Sequence, residues 1–489
     1  MAMEIATTNP KIKKIRDAVW EIDKTFMEGM RVPIRVYAND SLINDMDERV
    51  FEQAANVATL PGIQKFSFVM PDGHTGYGSA IGGVSAFDAE KGVISPGFVG
   101  FDINCGMRLL ITDLTEKEVK PKIKELVDTL FYKVPAGVGS SSKTGIDGKE
   151  FKNLAENGAE WAIKKGYGWK EDLERTELNG VADWADSSKI SEKAVSRGYR
   201  QMGTLGSGNH YLEIQTIRKG GIIDEKLAKK WGLFEGQTVI MFHCGSRGAG
   251  HQIASDYIQK FLNVMERKYK IKITDKELAC APFKSQEGQD YYSAMGCGIN
   301  ISFANRQIIA HRIREAFSEV FKRDSDKLGM TQLFDVAHNR ASVEEHDVDG
   351  TKTKLVIHRK GSTGSYYPGR KEIPRIFRKD GSPVIIGGSM ETGSYLLVGS
   401  DGARETFCST CHGSGRTMSR TAAKKLFDGK KLFDEMLTKG IYVKSVSWAG
   451  LAEESGDSYK SIDNVVDSVE RAGLSRRVAK FEPLGNVKG

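Results

Sequence analysis

Apolar residues recur every three or four positions in several stretches of the chain, a spacing that places them along one face of a helix. The predicted helices cover residues 12–22, 119–130, 253–268 and 301–321. The first rests on Ile12, Ile15, Val19 and Ile22, and the second on Val119, Ile123, Val127 and Leu130. Helices are therefore expected in both halves of the chain.

Shorter apolar runs, rich in β-branched and aromatic residues, predict strands. These runs cover residues 32–36, 211–217, 238–242, 355–358 and 395–398. The predicted helices and strands do not alternate regularly, so the pattern favours an α+β fold over a repeated βαβ arrangement.

The composition is that of an ordinary globular protein, with 39% hydrophobic and 28% charged residues among 489. No apolar run is long enough to cross a bilayer, and residues 1–6 lack the basic start and apolar stretch of a signal peptide. We therefore expect a cytoplasmic or nuclear protein without a membrane partner. The net charge of +7 is compatible with a polyanionic partner but does not establish one.

Six cysteines are too few for a disulfide framework in a chain of this length. Reduced thiols can serve as metal ligands, and Cys105 lies in a suitable place, three residues after Asp102 in a glycine-bounded loop. His210, His243 and His338 lie in glycine- or asparagine-rich segments at predicted strand ends. A carboxylate, a thiolate that can bridge, and three imidazoles predict a site for two divalent cations. Taken singly, each histidine could equally be a hydrogen-bonded core or loop residue.

Two asparagines adjoin candidate ligands. The amides of Asn209 and Asn339 could donate to phosphate oxygens held against the metals. Asparagine also forms turns well. The residues alone leave both interpretations open.

His412 is a candidate nucleophile. It precedes Gly413-Ser414-Gly415-Arg416, and residues 417–427 are predicted to be helical. Free amides and a helix N-terminus would bind an anion there, and a neutral imidazole could attack an α-phosphate. Alternatively, the histidine only makes hydrogen bonds within its loop. Cys408-x-x-Cys411 offers a redox or zinc interpretation, but the chain has no second CxxC and no evident βαβ context.

Five arginines lie near these motifs and could contact nucleic-acid phosphates, although scattered surface arginines are the simpler explanation. They are Arg197, Arg200, Arg247, Arg416 and Arg420. Because the candidate ligands extend from residue 102 to residue 412, most of the chain must fold around one centre. We therefore predict one large domain, residues 1–489.

Taken together, these motifs resemble those of the RtcB family. The matching series is Pro71-Asp72-Gly73-His74-x-Gly76-Tyr77-Gly78, Asp102-x-x-Cys105-Gly106, Gly206-x-Gly208-Asn209-His210, His243-x-Gly245-Ser246-Arg247-Gly248, His338-Asn339 and Cys411-His412-Gly413-x-Gly415-Arg416. The resemblance covers essentially the whole chain. Phe101 and Asn104, where many bacterial members carry smaller residues, make it more similar to archaeal and eukaryotic members.

The resemblance implies an α+β domain whose mixed β-sheets, flanked by helices, surround a central dinuclear metal site. It implies a GTP- and manganese-dependent ligase that joins RNA 3′-phosphate or 2′,3′-cyclic phosphate ends to 5′-hydroxyl ends. The RNA would be tRNA exon halves or broken RNA, and an archaease-type activator is a possible partner. Ligand softness alone would suggest zinc or cobalt as readily as manganese.

The resemblance also implies residue roles. Asp102, Cys105 and His210 would hold one manganese ion, Cys105, His243 and His338 the second, and His412 would become guanylylated. The nucleotide site would comprise Asn209, Glu213, Asn339, Gly387, Gly388, Ser389, Met390, Ser394, Gly413, Ser414, Gly415, Tyr459 and Lys488. RNA phosphates would contact Arg197, Arg247 and Arg416.

Two other functions use the same residues. A dinuclear metallohydrolase would employ the metals with water as nucleophile and would not need His412. A non-catalytic RNA-binding subunit would need neither the metals nor the nucleophile.

Overall fold

The computed structural model describes residues 12–142 and 144–489. Residues 1–6, from which we expect no signal peptide, lie outside the described part. Within it the fold is a mixed α+β arrangement, as predicted.

The strands form two large sheets and two small ones. They are β1 (Ile12–Arg16), β2 (Val19–Ile22), β3 (Ile34–Tyr37), β4 (Ile63–His74), β5 (Ile81–Asp88), β6 (Val93–Ile94), β7 (Gly106–Thr115), β8 (Tyr211–Thr216), β9 (Gln237–Cys244), β10 (Ala281–Pro282), β11 (Thr331–Ala337), β12 (Asn339–Val348), β13 (Thr351–Lys360), β14 (Ser362–Gly364), β15 (Pro383–Gly387), β16 (Ser394–Gly399), β17 (Ser409–Cys411), β18 (Tyr442–Ser445) and β19 (Ser475–Lys488).

The helices cover the sheets and join them. They are Asp40–Asn44, Glu48–Ala58, Pro96–Val99, Glu116–Val119, Ile123–Lys133, Gly148–Lys164, Glu192–Gly198, Glu225–Lys230, Arg247–Val264, Gln286–Phe321, Arg420–Leu426, Gly429–Thr438, Trp448–Glu453 and Ile462–Arg471. Short 3₁₀ segments occur at Lys24–Phe26, Lys120–Lys122, Lys170–Arg175, Glu177–Gly180, Ser187–Lys189, Tyr199–Gln201, Lys276–Leu278, Asp401–Thr406 and Gly456–Ser458.

The first large sheet has the strand order β1-β2-β3-β4-β5-β13-β12, and the second has the order β11-β7-β9-β8-β19-β16-β15, with β18 paired to β19. The second sheet is antiparallel along this path, apart from the parallel pair β18–β19. Antiparallel neighbours bring the start of one strand beside the end of the next. Loops that are distant in sequence therefore meet at one edge of this sheet.

A single long helix, Gln286–Phe321, runs behind that edge and is buried along much of its length. At 1.5 Å per residue its 36 residues span about 54 Å. It approaches the Asp102 loop closely, because a Cβ at Gly298 would lie 2.9 Å from the Ile103 side chain. The helix therefore fixes the position of the loop that carries Asp102 and Cys105.

The predicted helix over residues 12–22 is wrong. This segment forms the hairpin of β1 and β2, which turns at Ala18 with a φ of 54°. Ile12, Val19 and Ile22 are buried, whereas Ile15 is 42% exposed. The helical spacing arises because residues from two strands fall into register across a tight turn.

The other predicted elements are confirmed with shifted bounds. The helix predicted over residues 301–321 begins 15 residues earlier, at Gln286. The prediction missed this first part because the helix is buried on most sides and lacks the apolar stripe that marks a surface helix. The helix predicted over 253–268 is Arg247–Val264, and that over 119–130 is interrupted by a short 3₁₀ segment. In the described part of the chain, every helix is too short or too polar to cross a bilayer.

Candidate metal centre and nucleotide cavity

Four candidate ligands meet at one edge of the second sheet. Cys105 directly precedes β7, His210 directly precedes β8, His243 lies near the end of β9, and His338 follows β11. His243 is paired with Met107 on one side and with Tyr211 on the other. The prediction that the three histidines lie at strand ends is confirmed, and the antiparallel order brings the start of β8 beside the ends of β9 and β11.

The ligand atoms face one another at short distances. Cys105 Sγ lies 3.3 Å from His210 Nε2 and 3.1 Å from His243 Nε2. His243 Nε2 lies 3.1 Å from His338 Nε2, and His210 Nε2 lies 3.0 Å from Asp102 Oδ2. We call these five residues the metal-ligand cluster. Cys105, His210 and His243 are buried and form a group able to hold a metal ion.

The hydrogen bonds behind the rings suit a cation. The Nδ1 atoms of His210 and His243 each lie 3.0 Å from a backbone carbonyl oxygen, of Leu205 and Asn209 respectively. Because a carbonyl only accepts, the Nδ1 of His243 carries the proton and its Nε2 keeps a lone pair toward Cys105, whereas the Nε2 of His210 donates to Asp102. Metal-binding histidines are commonly fixed in this way. The donor set fits divalent cations bound among these atoms.

Electrostatics within the cluster agree with this fit. Burial, with the nearby His210 and His412, lowers the pKa of His243 well below its usual value, which keeps the ring neutral. Burial and the charge of Asp102 raise the pKa of the Cys105 thiol. A bound cation would offset the cost of ionising that thiol, since metal binding releases the proton.

Asp102 is held at a helix N-terminus. Its Oδ1 accepts from the Ser246 backbone N–H at 2.8 Å and from the Ser246 hydroxyl at 3.2 Å, just before the helix Arg247–Val264. Burial would raise the pKa of Asp102, but the hydrogen bond from His210 and the charges of His210 and Arg247 outweigh it and hold the pKa low. The positive end of the helix favours the carboxylate as well.

A fully buried arginine braces the cluster from behind. Arg306, on the long helix, donates to the carbonyl oxygens of Asn104 at 2.8 Å and Cys244 at 2.9 Å. It also forms a two-pronged bond with Asp335, at 2.8 Å for each contact. Asn104 and Cys244 each adjoin a ligand, and Asp335 lies three residues before His338. Three ligand-bearing segments are thus tied to one guanidinium.

His412 lies beside the cluster, with its ring centroid 4.6 Å from that of His338. Its Nδ1 lies 2.6 Å from Asp72 Oδ2, which also accepts from the His412 backbone N–H at 3.0 Å. Burial would raise the pKa of Asp72, but the charge and hydrogen bonds of His412 outweigh it and lower that pKa. The carboxylate fixes the proton on Nδ1, which leaves the Nε2 lone pair as the nucleophilic position.

The expected helix N-terminus at His412 is wrong. The helix in this region is Arg420–Leu426, which begins eight residues after His412 and is capped by Ser419. The His412 loop instead follows β17 and is joined to the Gly387 loop, where the Ser414 N–H donates to the Gly387 carbonyl at 3.0 Å. The helix N-terminus nearest the metal-ligand cluster belongs to the Ser246 segment.

A cavity of about 410 Å³ connects the cluster with His412, within the usual size range of ligand sites. It is lined by the whole metal-ligand cluster and by most predicted nucleotide-site residues: Asn209, Glu213, Asn339, Gly387, Gly388, Ser389, Met390, Gly413, Ser414, Gly415, Tyr459 and Lys488. Ser394, Arg197 and Arg247 are outside this lining. Ser394 lies behind it and accepts from Gln215 at 3.0 Å.

Glu213 brings a buried carboxyl to the cavity. Its Oε2 accepts from Gln215 at 2.6 Å, while Oε1 has no hydrogen-bond partner among the described residues. Burial raises the pKa of Glu213 to about 8, against the opposing effects of Lys488 and Gln215. An unpaired buried acceptor is costly and points to a ligand that donates to it.

Four further polar residues of the cavity are hydrogen-bonded to one another. Glu454 accepts from Lys488 at 3.0 Å, from Tyr459 at 2.5 Å and from Arg416 at 3.1 Å. We call these four residues the charged wall. Lys488 reaches the cavity because β19 pairs with β8, in register with Tyr211.

The two asparagines differ in their contacts. Asn339 donates to the Asp102 carbonyl at 3.1 Å and accepts from the Gly361 N–H at 2.8 Å, so its amide braces the loops. Asn209 uses its carbonyl oxygen to accept from Arg420 at 3.4 Å, which leaves its amide hydrogens toward the cavity. The phosphate-donor interpretation fits Asn209, whereas Asn339 begins β12 and holds loops that are distant in sequence rather than forming a turn.

The predicted RNA-binding arginines fall into two groups. Arg197 is exposed and donates to Gln252 at 2.8 Å, and Arg247 lies beside His210 with its Nη1 3.3 Å from the ring Nδ1. Arg416 instead lines the cavity within the charged wall. The CxxC cysteines are buried free thiols, and burial raises the pKa of Cys408 to about 12, which disfavours a reactive thiolate.

Sequence reasoning assigned no role to Asp72, Gln215, Arg306 or Glu454. Asp72 stands in the Pro71-Asp72-Gly73-His74 motif, which carried a usable signal. The other three lie in segments without a local motif, and only the fold brings them to the site.

Comparison with known proteins identifies the family. The sequence model described as tRNA-splicing ligase RtcB matches residues 53–489. The tRNA-splicing ligase RtcB of Thermococcus kodakarensis is 52% identical over 480 residues, covering 98% of this chain and 99% of the relative. Those of Archaeoglobus fulgidus and Aeropyrum pernix are 51% and 49% identical over 479 and 480 residues, with the same shares covered. The chain therefore belongs to the RtcB family.

Proposed function

We propose that this protein is an RNA ligase of tRNA splicing and RNA repair that uses GTP. It joins RNA 3′-phosphate or 2′,3′-cyclic phosphate ends to 5′-hydroxyl ends through a histidine–GMP intermediate. The family membership supports the ligase activity, since the relatives carry the name tRNA-splicing ligase. The observation that carries the covalent step is the His412 ring, fixed by Asp72 and open to the cavity beside the metal-ligand cluster.

Two manganese ions are proposed to bind in the metal-ligand cluster. Asp102, Cys105 and His210 would hold one, and Cys105, His243 and His338 the other. The fit rests on the donor set, because the Nε2 atoms of two histidines lie within 3.3 Å of the same sulfur. Such ions neutralise phosphate charge where it develops.

The proposed chemistry begins at His412. Its Nε2 attacks the α-phosphorus of GTP, a P–N bond forms, and the P–O bond to pyrophosphate breaks. Asp72 holds the proton on Nδ1 and stabilises the charged ring. The Asn209 amide donates to the oxygens that gain charge.

The RNA 3′-phosphate then takes the guanylyl group, and the P–N bond to His412 breaks. A cyclic phosphate must first be hydrolysed to a 3′-phosphate. The 5′-hydroxyl oxygen finally attacks the RNA 3′-phosphorus, forms the new phosphodiester bond and expels GMP. Arg197, Arg247 and Arg416 are proposed to contact RNA phosphates, which would align the two ends.

Guanine is proposed to bind at Glu213 and the charged wall. Guanine carries neighbouring N–H donors on one edge, and the unpaired Glu213 Oε1 would accept from them once the carboxyl ionises, which such donors favour. Ser389 and Met390 line the same cavity. An archaease-type activator and a cytoplasmic or nuclear location remain predictions.

The test is transfer of label from α-phosphate-labelled GTP to the protein with manganese. We expect one acid-labile, base-stable label per chain, lost in His412→Ala and kept in the matched surface variant His311→Ala. Joining of a cyclic-phosphate RNA to a 5′-hydroxyl RNA should require GTP. Joining with ATP alone, or unchanged joining by His412→Ala, would contradict the proposal.

A further inference from the structure

Three aromatic rings form a cluster next to the metal centre that the proposed chemistry leaves unused. Phe101 stacks on His251 with ring centroids 4.6 Å apart and an interplanar angle of 21°. Phe101 also meets Tyr77 edge-on, with centroids 4.9 Å apart at 63°. We call Tyr77, Phe101 and His251 the aromatic cluster.

The aromatic cluster extends from the cavity to the surface. Tyr77 and Phe101 line the cavity and are partly buried, while His251 is exposed in the helix Arg247–Val264. Tyr77 and Phe101 also pack against the hydrophobic core, so their rings are anchored from beneath. A fixed set of rings that continues from a reaction cavity to solvent offers a ready-made stacking surface.

Positive charge lies next to these rings. Arg197 Nη1 donates at 2.8 Å to Gln252, the residue that follows His251, so its guanidinium lies beside the ring. Arg197 is exposed, and Arg247 begins the helix that carries His251. Rings beside guanidinium groups are the combination that binds single-stranded nucleic acid, since bases stack while phosphates meet the cations.

We propose that the aromatic cluster stacks the terminal nucleobase of an RNA strand as its end enters the cavity. This inference rests on the proposed RNA ligase function and adds a base contact to it. Phe101 directly precedes Asp102, so a base on these rings would bring the end of its strand to the metal-ligand cluster. The guanine of GTP is assigned to other residues, Glu213 and the charged wall.

The experiment measures RNA binding by fluorescence anisotropy with short single strands whose terminal nucleotide either carries its base or is abasic. One pair of strands ends in a 3′-phosphate and the other in a 5′-hydroxyl, so the two arms tell which strand is stacked. We expect the wild type to bind the abasic strand of one pair roughly five- to 100-fold more weakly than the intact strand.

The variants His251→Ala and Phe101→Leu should lose that preference for the intact strand, and Phe101→Trp should keep it. Tyr132→Ala, which removes an aromatic ring that is 85% exposed elsewhere, is the matched control and should bind like the wild type. Equal binding of abasic and intact strands by the wild type, or an undiminished preference in both His251→Ala and Phe101→Leu, overturns the proposal.

Guanylylation is measured in parallel without RNA. If the wild type accepts no label from GTP, the proposed ligase function fails, whatever the RNA strands show. If it accepts label but shows no preference for an intact terminal base, only the stacking proposal fails. The two failures are therefore distinguishable.

Discussion

The metal-ligand cluster and the charged wall line the same cavity but differ in how their polar groups are paired. In the cluster, the nitrogen, oxygen and sulfur atoms of imidazole, carboxylate and thiol side chains face one another at 3.0 to 3.3 Å. In the charged wall, Lys488 and Arg416 are already met by Glu454. On the proposed function, a bound cation would complete the cluster, whereas the wall is already paired and would bind guanine by exchanging hydrogen bonds.

This difference teaches where each kind of substitution acts. Substituting a residue of the metal-ligand cluster should abolish binding of a metal ion, because few other atoms nearby can replace the missing ligand. Removing a residue near the wall leaves a partly paired network, so the loss is smaller. The predictions below test this contrast, from the largest expected effect to the smallest.

Cys105→Ser is expected to have the largest effect. Cys105 Sγ contacts both His210 and His243, and a hydroxyl is a poor substitute for a bridging thiolate. We expect bound manganese to fall from two ions to one or none, and guanylylation to fall roughly 10³-fold or more, since metal stabilisation supplies several kcal/mol. Metal analysis after gel filtration and labelling with GTP measure both.

The control for Cys105→Ser is Cys280→Ala, which removes a buried thiol from the hydrophobic core away from the cluster. It should keep two manganese ions per chain. Two ions retained at wild-type affinity in Cys105→Ser would refute the shared-ligand arrangement.

Arg306→Met tests whether the cluster depends on the brace behind it. Loss of the guanidinium leaves the carbonyls of Asn104 and Cys244 without this donor, while Asp335 keeps its buried ion pair with Arg108. We expect manganese affinity to fall about 10- to 100-fold and the free energy of unfolding to fall by about 1–3 kcal/mol, the cost of unpaired buried acceptors. Calorimetric titration with manganese and denaturant unfolding give the two values.

Arg306→Lys is the matched variant, since it keeps the charge opposite Asp335 but cannot reach both carbonyls at once. It should recover part of the stability and little of the manganese affinity. If Arg306→Met binds manganese as tightly as the wild type, Arg306 stabilises the fold without positioning the ligands.

Glu213→Gln tests a buried carboxyl near the charged wall, where guanine is proposed to bind. The raised pKa, about 8, means that folded Glu213 stays protonated while an unfolded glutamate ionises near pH 4.5. The unfolded state therefore holds fewer protons between these values, and wild-type stability falls as pH rises through that window. Relative to Glu213→Gln, wild-type unfolding free energy should drop by a few kcal/mol from pH 5 to pH 8 and then level off.

Denaturant unfolding without metal or nucleotide measures this difference, with Glu345→Gln as the control for removing an exposed carboxylate. A pH-independent difference between wild type and Glu213→Gln would show that burial does not hold the proton. The variant should also discriminate less between GTP and ATP in guanylylation.

The sequence predicted which side chains the fold brings together in the metal-ligand cluster better than it predicted their surroundings. Asp102, Cys105 and the three histidines stand in short motifs with glycine or asparagine neighbours, which mark loops at strand ends. Arg306 and Glu454 carry no such mark, because their role depends on a helix and a loop that only the fold brings near. The helix prediction for residues 12–22 was wrong for a related reason, since apolar residues of two paired strands can have helical spacing by chance.

The smallest predicted effect concerns Ser394, which is expected to act on the nucleotide through Gln215 rather than by direct contact. The family resemblance gives Ser389 and Ser394 the same role, yet Ser389 lines the cavity, whereas Ser394 bonds to Gln215, which in turn bonds to Glu213. Ser394→Ala removes one neutral hydrogen bond, worth about 1 kcal/mol, so KM for GTP should rise about fivefold with kcat nearly unchanged. In a Gln215→Leu background the same substitution should add almost nothing, because the chain of contacts is already broken. Equal losses in both backgrounds would show that Ser394 acts on the nucleotide without Gln215, which would make the two serines equivalent after all.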